Sequence, residues 1–247
     1  MVKVGSCVIG ACYSPCMSIK QQIIHYRNQL TARLNRPADD AKLCTVISND
    51  CWGGSLYQDF GWEYRTPFVG LALMAPCYLH LLTDLKGFLH SPLRFKEVSK
   101  YEEVNLRRCD PAERYPIGVI GSDADDIEIH FIHYHNREEA IAKWTRRIER
   151  MNWDRLVIKF AGDKDHCTPD LMEQFNKLDY PIRIAFGKHE YPHLSHVVQV
   201  KNYLENGAML YRRSICHFDL PTWLSTGVIR KPTHRTLINK MLFSFGA

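Results

Sequence analysis

The chain has no cysteines in CxxC spacing, and its nine cysteines are an odd number scattered over 247 residues. That argues against a secreted disulfide framework and against a zinc ribbon. Cys7, Cys12 and Cys16 are close in sequence but match no common metal-site spacing, and they read as small buried hydrophobes. Long apolar runs are missing too. The N-terminal run Val4–Tyr13 is short and broken, with one lysine before it, which is neither a bilayer span nor a signal-peptide layout. The expectation is a cytoplasmic protein with no transmembrane segment, which leaves peripheral membrane association open. There is no Lys/Arg block: Arg107-Arg108, Arg146-Arg147 and Arg212-Arg213 are pairs that read as solvated faces, so no nucleic-acid partner is expected. Dinucleotide and Walker glycine patterns, internal repeats and low-complexity segments are all absent.

What is present is an ordinary globular balance. With 45% hydrophobic and 24% charged residues, a chain of this length builds its core without staples. It reads as one α/β domain over residues 1–247. The net charge of +5 mildly favours anionic ligands such as phosphates or nucleotide-linked sugars.

Four short apolar runs stop abruptly at chemically capable residues. Leu43–Ile47 ends in Ser48-Asn49-Asp50-Cys51-Trp52-Gly53-Gly54. Ile127–Ile132 ends in His133-Tyr134-His135, Leu156–Ala161 in Gly162-Asp163-Lys164-Asp165-His166-Cys167, and Ile182–Phe186 in Gly187-Lys188-His189. Helical signals lie between them. Asn136 is placed to cap a helix with Ile141, Trp144, Ile148 and Met151 as its buried stripe, and Thr168-Pro169-Asp170 opens another that runs to about Leu178. Strand–helix–strand order with short links predicts right-handed crossovers and a parallel sheet, whose carboxyl edge gathers the strand exits into one pocket. Ser18 caps a predicted helix with Ile19, Ile23, Tyr26, Leu30 and Leu34 against the sheet. Pro76–Leu89 predicts one helix, Lys100–Glu113 a mobile loop, and Thr233–Phe245 a closing helix.

The candidate site residues follow from those exits. Ser48, Asn49, Asp50, Gly53 and Gly54 could form an anion nest after a strand, suited to a diphosphate or an oxyanion, or else a tight turn bonded to its own backbone. Trp52 offers a stacking face for a sugar or a place in the core. Cys51 is a candidate nucleophile, with His133 or His166 as partner if the exits converge. His130 and His133 point to opposite faces of an unbroken strand, so they serve one site only if the strand ends between them. Asp163 and Asp165 are a candidate pair for a divalent cation, magnesium or manganese, on a diphosphate; the sequence does not decide whether a metal is used. Tyr134 and Lys188 complete the candidate binding residues.

The stretch Ile47–Gly54, with Tyr57 and then Thr66-Pro67-Phe68-Val69-Gly70-Leu71, resembles a bacterial domain-of-unknown-function family, the one numbered nineteen-nineteen. Tyr115-Pro116-Ile117-Gly118, Asp126–Tyr134, and Glu138-Glu139-Ala140 with Trp144 and Arg147 form a second matching block. Asp163, Asp165, Cys167-Thr168, Phe175 and Lys188 match more loosely. The blocks span residues 44–192, with a helical closing segment over 203–247. Members of that family are often labelled exopolysaccharide or capsule biosynthesis proteins. The resemblance implies a three-layer α/β/α fold with a mostly parallel sheet. One departure is Ala75-Pro76-Cys77-Tyr78-Leu79, where an acidic residue is expected beside the tyrosine.

The leading expectation is a transferase of surface-polysaccharide assembly that takes an activated sugar or related anionic donor and a glycan acceptor. The glycine turn would hold phosphates, His133 would be the general base, and Asp163 with Asp165 would hold the cation or orient the histidine. The alternatives are a Cys51-dependent acyltransferase or esterase that modifies the polysaccharide, and a non-catalytic glycan-binding module.

Overall fold

The computed structural model describes residues 18–122 and 125–244. Cys7, Cys12, Cys16 and the run Val4–Tyr13 lie outside the described residues. In chain order the elements are α1 (Ile19–Leu34), β1 (Thr45–Ser48), α2 (Trp52–Phe60), α3 (Ala75–Thr83), α4 (Leu85–His90), β2 (Arg94–Lys96), α5 (Glu102–Arg107), β3 (Ile117–Ile120) and β4 (Ile127–His130). There follow α6 (Arg137–Ile148), β5 (Leu156–Ala161), α7 (Pro169–Lys177), β6 (Arg183–Gly187), β7 (Val197–Gln199), α8 (Gly207–Ser214), α9 (Leu220–Thr226) and α10 (His234–Ser244).

Four strands form a parallel sheet in the order β1-β5-β6-β7. Both faces are covered, as parallel strands require. Ile47, Ile158, Phe160 and Ala185 pack with α3, α7 and the small sheet. Val46, Val157, Ala161, Ile184, Phe186 and Val198 pack with α2, α8 and α9 on the other face. This is the expected α/β arrangement with a mostly parallel sheet between helical layers. The helix starts at Asn136 and Thr168 also stand where expected: Asn136 accepts from the Glu139 amide and Thr168 from the Leu171 amide.

Other expectations are corrected. The run at Ile127 does not join the parallel sheet. It forms β4 of a three-stranded antiparallel sheet, β2-β3-β4. The cause is local: residues 121–126 are all that connects β3 to β4, and a parallel crossover needs a dozen or more. Gly121, at φ 90°, takes the left-handed conformation that the turn demands. The apolar stripe of α1 faces solvent instead of a sheet, with Ile19, Ile23, Tyr26 and Leu30 51–77% exposed. The helix is held by a different face, through buried Thr31, the Asn35–Asn239 side-chain bonds to α10, and Arg27 over the Phe243 ring. The predicted helix Pro76–Leu89 is two helices, broken at Asp84 (φ −146°, ψ 63°), whose carboxylate caps the second at Gly87 N. The predicted loop at Lys100–Glu113 contains α5, anchored by buried Val104.

Candidate functional site

Three of the four strand exits meet at the carboxyl edge of the parallel sheet, and the fourth reaches it from the small sheet. The exit of β1 is built first. Asn49 clamps it to β5, accepting from Ala161 N at 2.8 Å and donating to Ala161 O at 3.2 Å, while its own carbonyl accepts from Leu73 N. Asp50 turns inward. Its Oδ1 accepts from Ser48 Oγ at 3.1 Å, Trp52 N at 3.0 Å and Lys159 Nζ at 2.5 Å, and its Oδ2 lies 3.4 Å from Lys164 Nζ. Burial pushes this carboxyl up, but Lys159, Lys164 and the hydrogen bonds more than offset that and hold it well below the usual carboxylate range. Burial lowers the Lys159 ammonium to about 8 against the pull of Asp50.

This inward turn changes the reading of the glycines. Ser48, Asn49, Asp50, Gly53 and Gly54 are all buried, so the segment is no open phosphate loop. Gly53 is in the first turn of α2, where a Cβ would stand 3.1 Å from Val46 Cγ1 and 3.3 Å from Ser48 Cβ. The glycine lets the helix lie directly on β1. Gly207, at the start of α8, closes the other side, where a Cβ would come within 2.6 Å of Asp50 Cγ and Cys51 N. Trp52 is enclosed among Phe186, Tyr211 and Trp223 and donates to Ser214 Oγ, so its ring is a core element and not a sugar-stacking face.

Cys51 emerges from this packing, partly exposed, at the N-terminus of α2. Its Sγ lies 3.4 Å from His133 Nε2. The strand ends at His130, and a turn follows in which Ile132 N donates to His130 O and Tyr134 N to Phe131 O. That turn swings His133 out of strand register. It is pinned from behind: His133 N donates to Gly70 O, Tyr134 OH donates to Val69 O at 2.7 Å, and buried Arg147 donates to both Tyr134 OH and Val69 O. Tyr134 is thus a brace for His133. Burial, then the Asp50 carboxylate, pushes the Cys51 thiol up to about 11 against the pull of the two lysines.

The other candidates do not join the pair. The two oxygens of Asp163 accept from Tyr191 OH (2.5 Å) and His189 N (3.0 Å), toward the exit of β6. Asp165 is turned to Lys164 at 3.3 Å. The two carboxylates diverge, so the expected cation-binding pair is not formed, and Asp163 does not reach His133 to orient it. Asp163, Asp165 and His166 all have φ between 52° and 62°, a strained stretch of the kind that clusters at functional sites. Lys188 pairs with Glu205 at 2.7 Å.

His130 faces the opposite side of the turn. It is buried, with Nε2 2.6 Å from Glu128 Oε1, and it borders a cavity of about 330 Å³ with His166, Asp165 and Arg107. Glu128 has no exposed surface and also takes Lys96 Nζ at 2.5 Å, Ser99 Oγ and Lys100 N. Burial raises this carboxyl, but His130, Lys96 and Ser99 bring it down to about 2. Since its folded value lies below the unfolded one, its contribution is complete above pH ~4.5 and is lost as pH falls toward about 2. The expected loss is about 3 kcal/mol. Urea melts at several acid pH values, with Glu128→Gln for comparison, check this. A wild-type slope that the variant keeps in full would assign the loss elsewhere.

Sequence reading missed Lys159, Lys164, Glu128 and Arg107. For Lys159 a signal existed, a charge inside the otherwise apolar run Leu156–Ala161 that has to find a buried partner.

Comparison with known proteins places residues 21–218 within a family model described as "Domain of unknown function (DUF1919)". An uncharacterized protein of Haemophilus influenzae is 31% identical over 159 residues, which cover 64% of this chain and 68% of that protein.

Proposed function

We propose, for a chain that belongs to the DUF1919 family, a thiol-dependent acyl transfer in which Cys51 carries the acyl group and His133 carries the proton. The observation behind this reading is the 3.4 Å approach of Cys51 Sγ to His133 Nε2, between residues 82 positions apart. A nucleophile within hydrogen-bond reach of a base is the arrangement such chemistry needs. Because burial holds the thiol protonated, with a pKa of about 11, the proton has to leave as the bond forms. Sγ attacks the acyl carbon while His133 Nε2 takes the thiol proton. The tetrahedral oxyanion collapses, the bond to the leaving group breaks, and His133 returns the proton to that group. An acceptor hydroxyl then attacks the thioester, its proton passes to His133, and the sulfur leaves and is reprotonated. At the N-terminal end of α2 the first amide, Trp52 N, is taken by Asp50, and those of Gly53 and Gly54, with no carbonyl ahead of them, favour the developing negative charge.

The resemblance to proteins labelled for exopolysaccharide and capsule biosynthesis supports a saccharide hydroxyl as acceptor. The glycosyl-transfer reading has less behind it, because its glycine turn is packed against β1 and its carboxylates diverge. A cytoplasmic location belongs to the same proposal. Cys44, Cys51, Cys77, Cys109, Cys167 and Cys216 are free thiols, as a reducing compartment keeps them. Among the described residues no helix is long and apolar enough to cross a membrane.

The test is acylation by p-nitrophenyl acetate, followed by peptide mass spectrometry. The expected result is an acetyl group on Cys51, absent in Cys51→Ala, with exposed Cys109 unmodified. Equal ester turnover by Cys51→Ala would overturn the reading.

A further inference from the structure

His133 forms part of the wall of a second groove, of about 560 Å³, that is lined by two guanidiniums with no ion-pair partner among the described residues. Arg107 is in the last turn of α5, and Arg114 follows the turn Pro111–Glu113. Among the described residues neither guanidinium donates a hydrogen bond or makes an ion pair, whereas that of neighbouring Arg108 donates to Glu97 O and stacks over Tyr115. Buried Tyr115 and Ile117 pack with Val104 and Met74, which fixes α5 and the following turn over the small sheet and so sets where both arginines stand. Glu113 is the carboxylate in the same wall, and the remaining titratable groups there are His133, His135 and the phenols of Tyr115 and Tyr134. Glu103 on α5 is already held by His166 at 2.5 Å. Two cations against one carboxylate leave the groove positive, and Arg107 continues from it into the 330 Å³ cavity beside His130.

We infer that Arg107 and Arg114 hold a phosphate or diphosphate group of the substrate, with its reacting end against His133 and Cys51. This rests on the acyl-transfer reading of the site and adds a substrate class to it. A guanidinium fork matches phosphate oxygens two at a time, and a groove of this volume is of ordinary ligand size. It also moves the anion site expected at Gly53-Gly54 to a place with cationic groups and room.

Inorganic pyrophosphate is the probe, titrated calorimetrically into wild type, Cys51→Ala, the double variant Arg107→Gln/Arg114→Gln, and Arg33→Gln as a remote control. Expected are equal affinities for wild type, Cys51→Ala and Arg33→Gln. The double variant should bind at least ~10-fold more weakly with an unchanged melting temperature, and wild-type affinity should fall as salt is raised. No binding by wild type, or equal binding by the double variant, overturns the inference. Acylation is measured separately: a Cys51 that never acylates, with arginine-dependent pyrophosphate binding intact, removes the thiol reading and keeps the subsite. Two further arms find the bearer of the phosphate. If it is the acyl donor, Cys51 is acylated faster by acetyl phosphate than by p-nitrophenyl acetate, and the double variant loses that preference. If it is the acceptor, a sugar phosphate accepts the acyl group faster than the free sugar, again only with both arginines present.

Discussion

Replacing Asp50 with asparagine is expected to destabilise the protein by about 3–5 kcal/mol, the usual cost of breaking a buried ion pair from one side. Lys159 has no exposed side-chain surface, and its ammonium lies 2.5 Å from the Asp50 carboxylate. Asparagine keeps the shape and can still accept from Ser48 and Trp52, so the charge is what is lost. Lys164 retains Asp165 at 3.3 Å, whereas Lys159 has no second carboxylate among its described contacts. The cost should depend on pH. Lys159 already titrates at about 8 in the folded state, below the value near 10.4 of an unfolded lysine. Across that interval the unfolded chain binds more protons, so stability rises with pH as the buried ammonium gives up its charge. Without Asp50 the folded value drops further, and Asp50→Asn should regain stability between pH 7 and 10 more than wild type does. Adding Lys159→Met should restore most of the loss. Urea melts of the four proteins of this cycle check it. A cost below about 1 kcal/mol, flat with pH, would mean that the pair is solvated and not structural.

The parts of this site that were legible in the sequence are those set by neighbours in the chain. The runs around Val46, Ile158 and Ala185 end at polar residues, and the caps at Asn136 and Thr168 need only their own amides. Partners distant in sequence were not legible. Lys159 meets Asp50 across 109 positions, and nothing near either residue announces the other. Gly53-Gly54 has the same letters in an open nest as in a helix laid on a strand, and only the approach of Val46 decides between them. The stripe of α1 shows the limit of periodicity: the pattern finds an apolar face, but Thr31, Asn35 and Arg27 determine which face is held. The placement of β4 could have been read, since six residues cannot make a parallel crossover. Cys51 and His133 nevertheless meet, because the turn after His130 brings the histidine to the same edge from the other sheet.

His133→Ala is expected to slow acylation of Cys51 by about 10²–10⁴-fold, the range for loss of a positioned general base. The variant should keep its melting temperature, since the turn is held by Gly70, Val69, Tyr134 and Arg147 and not by the imidazole. A second measurement separates two ways in which the pair could work. With the thiol near 11, the thiolate is scarce at neutral pH, and alkylation by iodoacetamide should run roughly 300-fold slower than for a free cysteine of pKa about 8.5. The alkylation rate should then climb about tenfold per pH unit and level off only near 11, in wild type and His133→Ala alike. A preformed thiolate–imidazolium pair behaves differently: labelling is already fast at neutral pH, flat above it, and collapses when the histidine is removed. Slow neutral alkylation combined with fast, His133-dependent acylation is the signature of a proton that moves only during attack. That is how a hydroxyl nucleophile works beside a histidine, and the burial of Cys51 against Asp50 imposes the same course on sulfur.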